Sequence, residues 1–130
     1  MNDNHIGAEL QTLALVPMAD ITASGNGTGF DVTDYVGSLA VTLSAKNVAG
    51  TNPTLVVKLQ DSADNSTFAD ITGAVFTTVT DAGTLAATLE KISVSVDSAR
   101  KYIRAVKTIG GTVDPEFLLS CTAVGVKQYR

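Results

Sequence analysis

The densest gathering of side chains able to bind a metal or move a proton is LQDSADNSTFADIT, residues 59–72. It holds three carboxylates (Asp61, Asp64, Asp70), an Asn and several hydroxyl groups. A calcium loop of EF-hand type needs acids or amides at alternate positions, then a glycine, and a glutamate at the twelfth position. Here Ala63 follows two after Asp61, no glycine stands in place, and the twelfth position is Thr72. Carboxylate-pair chemistry needs two acids held across a cleft, one with its pKa raised by burial. Acids on a Ser-rich segment meet neither demand. Asp, Asn and Ser are also what a hairpin tip requires, because they hydrogen-bond the local backbone and tolerate unusual φ, ψ values. The segment reads as a polar tip, and replacing Asp61 and Asp64 together is expected to leave folding nearly intact.

Other reactive groups are scarce. The single cysteine, Cys121, sits in the apolar run FLLSCTAVGV, which predicts a buried, inert thiol and excludes an intrachain disulfide. The single histidine, His5, lies in a polar N-terminal stretch. No nucleophile elbow, zinc-protease helix or phosphate loop is present. GNGTGF at 25–30 lacks both the G-x-G-x-x-G spacing and a following helix, so it reads as a bend. The expectation is a non-enzyme: no catalytic residue, no cofactor and no metal ligand is assigned.

The elements that would carry these residues are strands. In SLAVTLSA, Leu39, Val41 and Leu43 share one face. In TLVVKLQ, Leu55, Val57 and Leu59 do the same. In KISVSVD, Ile92, Val94 and Val96 oppose Lys91, Ser93 and Ser95, and TLAATLE aligns Leu85, Ala87 and Leu89. A period of two, rich in β-branched residues, predicts strands with one buried face. KYIRAVKTI and EFLLSCTAVGVKQ are apolar on both faces, which fits either central strands or strands covered by another subunit. Turn signals fall at SGNGTG, NVAGTNP, Asp81–Gly83 and Gly110–Gly111. Eight to ten short strands at roughly 8–12-residue spacing predict one all-β antiparallel sandwich of jelly-roll type over residues 10–130, with residues 1–9 as a flexible arm.

Composition narrows the partners. Charged residues are 17% of the 130-residue chain, against about 25% in an average soluble domain, while mean hydropathy is +0.22. So uncharged a surface suits a protein partly covered in an assembly. Net charge is −4 and the longest basic run is Arg100–Lys101, which excludes a polyphosphate-binding stripe and hence a nucleic-acid partner. No run approaches ~18 apolar residues, so no membrane partner is expected. The start carries no basic n-region, and synthesis in a cytoplasm is expected.

VKLQDSADNSTFADIT (57–72), RKYIRAVKTIGGT (100–112) and the closing EFLLSCTAVGV resemble the β-sandwich or jelly-roll decoration (cementing) proteins of tailed-bacteriophage heads. The resemblance implies a non-enzymatic virion protein on the capsid exterior, acting as a homotrimer on the major capsid protein. Contacts are then expected at the arm from Asp3 through His5 to Leu10, at the bend from Asn26 to Phe30, and at Tyr102 and Arg104, since Tyr and Arg tend to anchor interfaces. Two other readings stay open. KYIRA is similar to a strand of jelly-roll carbohydrate- or receptor-binding modules, for which Tyr35 and Tyr129 are the aromatic candidates. A phage tail or head–tail joining protein is the other.

Overall fold

The structure, a computed structural model, describes residues 8–80 and 88–128. Every regular element among them is a strand: β1 (Ala8–Ile21), β2 (Gly25–Asn26), β3 (Phe30–Asp31), β4 (Tyr35–Ser62), β5 (Ala69–Val75), β6 (Val79–Thr80), β7 (Thr88–Ser95) and β8 (Tyr102–Gln128). β4 and β8 organise the rest. They are 28 and 27 residues long and pair antiparallel from Tyr35↔Lys127 to Ser62↔Tyr102. Straight, such a ribbon would reach about 90 Å, far more than the ~30 Å of a small domain. It therefore turns a corner.

The corner falls where the sequence predicts breaks, at NVAGTNP and GGTVDP. Pairing shifts register between Asn47 and Thr54. Gly50 (φ 115°) and Gly111 (φ 117°) take backbone angles that favour glycine. Each also receives the other strand's proline. A Cβ on Gly50 would stand 2.6 Å from Pro115 Cα, and one on Gly111 would stand 2.9 Å from Pro53 Cα. The Asn47 amide donates to the carbonyls of Ala49 (2.9 Å) and Glu116 (3.1 Å), tying the two bends together. Sequence reading places hairpin-like breaks here and counts several short strands. The chain instead keeps pairing around the bend, so two long strands each serve both layers.

Folding the ribbon produces a jelly-roll-like sandwich. In the first sheet the order is β7, the first half of β4, the second half of β8, then β1. In the second, β5 and β6 share one edge, followed by the second half of β4, the first half of β8, and β2 with β3 on the far edge. β8 is thus central in both sheets, which accounts for its apolar residues on two faces without a covering subunit. The core lies between the layers. Leu39, Val41, Leu43, Phe117, Leu119 and Cys121 face Leu55, Val57, Leu59 and Ile103, all essentially without solvent contact. Alternation decides this set, because a one-residue slip would send every one of them to the outside.

One alternation yields to another. The even-numbered Ile92, Val94 and Val96 turn toward the core, so odd-numbered Leu89 on the same strand points outward and is 73% exposed. Leu85 and Ala87 lie outside the described residues. β1 begins at Ala8, inside the stretch expected to be an arm, and residues 1–7 lie outside the described residues.

Candidate functional site: the acidic hairpin and the open edge

The three carboxylates of residues 59–72 do not converge. Each is held by its own internal partners. Asp61 ends the inner row of the second sheet, opposite Ile103. Its carboxylate accepts the Arg100 backbone N–H (3.0 Å) and Nε–H (2.9 Å), while the guanidinium also donates to the Asp61 carbonyl (2.8 Å). Asp64 folds the tip. Its Oδ1 accepts the N–H groups of Ser66 and Thr67 (3.0 Å each) and the hydroxyl of Ser62 (2.9 Å). The Ser62 oxygen in turn accepts the N–H groups of Asp64 and Asn65. The Thr67 N–H above all, then the Ser62 hydroxyl, hold the Asp64 carboxyl below the ordinary carboxylate range.

Asp70 belongs to a row across the outer face of the second sheet. It accepts from Gln60 (2.8 Å) and Lys58 (3.0 Å), and these two donors lower its pKa, Gln60 first. Gln60 Oε1 accepts both Nε (3.0 Å) and Nη2 (2.8 Å) of Arg104, whose guanidinium lies 3.9 Å from the Phe68 ring centroid. The hairpin is therefore a built piece of scaffold, and Asp61 is held within it rather than standing on an exposed tip. Its side chain is only 15% exposed, because the Ala99–Arg100 turn folds over it. No group of three or more His, Cys, Asp or Glu positioned to hold a metal occurs among the described residues.

The other expected site residues scatter. Asp3 and His5 lie outside the described residues. Leu10 is exposed near the start of β1. Asn26 is exposed on β2 opposite Val106, and Phe30 on β3 is half-buried against the core. Tyr102 and Arg104 are half-buried on the second sheet's outer face, with Lys101 Nζ 5.4 Å from the Tyr102 ring. Tyr35 is a core residue, and burial pushes its hydroxyl pKa up. Tyr129 lies outside the described residues. None of the described aromatic side chains is exposed, so a flat aromatic platform for a sugar ring is missing among them.

Several depressions mark the surface, and two of them are bordered by cations. One, about 450 Å³, is bordered by Tyr35, Asp97, Arg100 and Lys101. Its cations already have partners, Arg100 on Asp61 and Lys101 3.9 Å from Asp31. The second, about 370 Å³, opens along the edge where β1 of one sheet faces β2 and β3 of the other. Asn26 and Phe30 meet there, with Leu15, Pro17, Ile21 and one cation, Lys107. Lys107 pairs with Val57 and so occupies an inward-facing position. It was legible in the sequence, since it continues the odd-numbered series Ile103, Ala105, Ile109.

The outer faces of the two sheets differ. The second carries the Arg104–Gln60–Asp70–Lys58 row. The first presents Ala40, Thr42 and Ser44 beside Ser120, Thr122 and Val124, with Thr12 and Ala14 of β1 in the same rows. Its charges, Lys91, Lys46 and Asp20, stand at its margins.

This architecture defines the class: an all-β, jelly-roll-like antiparallel sandwich. No protein-family model and no curated protein matches the chain. Among solved structures, it is similar to a chain of infectious bursal disease virus Gx strain, with a TM-score of 0.52 and 15% identity, covering 93% of this chain and 32% of that one. It is also similar to a subunit from the disulfide-linked pili that form Bacillus endospore appendages (TM-score 0.49, 14% identity, 95% and 90% covered) and to VP2 of the infectious bursal disease virus subviral particle (0.49, 9%, 93% and 33%). The chain spans about a third of the length of the two viral chains. The likeness to the Gx-strain chain supports the sandwich architecture.

Proposed function

We propose that this chain is a non-enzymatic virion structural protein, a decoration protein that binds the outside of an assembled tailed-bacteriophage head. It is made in the host cytoplasm and acts as a closed homo-oligomer, a trimer, on the major capsid protein. The observation that carries the reading is the outer face of the first sheet, an array of Ala, Ser, Thr and Val flanked rather than crossed by charge. Such a face loses little on desolvation, because few charges must leave water. A rigid two-layer scaffold underneath presents it without an ordering cost. Several copies in one oligomer would engage equivalent shell sites together and gain avidity. The sandwich of the Gx-strain viral chain, itself from a virus particle, is consistent with this role.

Co-sedimentation of the purified protein with expanded and unexpanded heads, with copies counted per particle, tests the reading. Saturable binding to heads is expected, and Thr42→Lys or Thr122→Glu should abolish it while leaving the melting temperature nearly unchanged. Absence of binding to any head, together with assembly into rings or tubes, would transfer the protein to the tail or the head–tail joint.

A further inference from the structure

The open edge of the sandwich carries an unmatched pair of charges and an unmatched pair of shapes. Lys107 stands on the inner face of β8, where its neighbours in phase are Ala105 and Ile109. Its ammonium emerges through the edge cleft, near Gly25, whose Cβ would meet Nζ at 3.5 Å. The Lys107 ammonium has no hydrogen-bond or ion-pair partner among the described residues. An inward lysine lining an apolar cleft loses part of its hydration and gains nothing in return within this chain.

Immediately beside the cleft, β1 supplies the complementary groups. The strand is irregular here, with register shifts between Ala14 and Val16 and between Val16 and Ala19. Pro17, Ala19 and Ile21 border the cleft, whereas Met18 and Asp20 do not. Met18 is 69% exposed. Asp20 is exposed and likewise has no partner among the described residues. One surface therefore holds an apolar knob, an apolar hole with room for it, a free carboxylate and a free ammonium. Within one molecule Met18 does not border the hole.

We propose that the edge cleft is filled by a second copy of this chain. Met18 of one copy enters the cleft of the next, and Asp20 of the first pairs with Lys107 of the second. Since both halves of the contact lie side by side on every copy, rotation about a nearby axis satisfies all of them in a closed ring of two or three. Charge complementarity selects the occupant: an apolar partner without an acid would leave Lys107 buried and unpaired. The contact is a property of the free protein and is independent of whether any shell is bound.

The test is the mass of the full chain in solution by sedimentation equilibrium. At roughly 100 μM, where even a micromolar contact is saturated, the mass should be two or three times the chain's 13.4 kDa. Lys107→Glu and Asp20→Lys should each raise the dissociation constant roughly tenfold or more. The Lys107→Glu/Asp20→Lys double variant should recover most of the loss. Carbodiimide coupling of mixed isotope-labelled and unlabelled protein should join Lys107 of one copy to Asp20 of another, which needs no variant to fold. A monomeric parent, single variants that associate as the parent does, a double variant that stays dissociated, or cross-links only within one chain would each overturn the proposal. Failure to sediment with heads would not touch it.

Discussion

Asp61→Ala tests whether the acidic hairpin is scaffold. The substitution removes a carboxylate that accepts two charge-assisted hydrogen bonds from Arg100, at 3.0 and 2.9 Å. Shielded bonds of that kind contribute about 1.5–3 kcal/mol each. The Arg100 side chain is 44% exposed, however, and its guanidinium can rehydrate, which brings that half toward the ~0.2–1 kcal/mol of an exposed pair. Losing the acceptor for the Arg100 backbone N–H adds about 1 kcal/mol. The expected loss is about 2 kcal/mol, or about 8 °C in Tm for a domain of this size. Urea titration and calorimetry measure it. The Asp61→Ala/Arg100→Ala cycle should return a coupling of about 1 kcal/mol. Calcium at millimolar concentration should leave the Tm of the parent unmoved, since Asp61, Asp64 and Asp70 are already engaged elsewhere. A cycle with no coupling would refute a stabilising role for the Arg100–Asp61 contact. A calcium-dependent rise in Tm that vanishes in Asp61→Ala would show that the three acids converge after all.

Gly111→Ala should destabilise by about 2 kcal/mol or more, because the new methyl strikes Pro53 at a positive φ; a loss below about 0.5 kcal/mol in urea unfolding would mean the corner is not closely packed. Val113 is 72% exposed and holds φ 58°, so Val113→Asn should stabilise by about 1 kcal/mol by relieving left-handed strain, read as a higher urea midpoint. The carboxyls of Asp31, Asp64 and Asp70 are held below their ordinary value of 3.8, so their contribution is fully present above that pH and disappears as pH falls through the lowered values. Asp64→Asn should therefore flatten the acid limb of stability against pH. Burial pushes the Cys121 thiol to about 12. Native protein at pH 8 should resist iodoacetamide until urea unfolds it, and stability should decline above pH 9, where only the unfolded thiol ionises.

The sequence by itself determined the strand class and most of the core. Leu39, Val41 and Leu43, then Leu55, Val57 and Leu59, alternate with polar residues, and a pleated chain can bury only one such set. It also placed Cys121 in the core, because it stands in an apolar run. The corner was visible only as two clusters of Gly, Pro and Asn. Whether they end strands or bend them depends on Pro115 meeting Gly50 and Pro53 meeting Gly111, contacts between residues about sixty positions apart. The same holds for the acidic tip. Its composition announced a turn, but nothing local revealed that Arg100 would fold over Asp61. Tertiary structure alone decided which alternation wins on β7, which acids are occupied, and that Met18, Asp20 and Lys107 share one edge. Local sequence fixes what a strand can bury, whereas pairing across the bent ribbon fixes what its ends and edges meet.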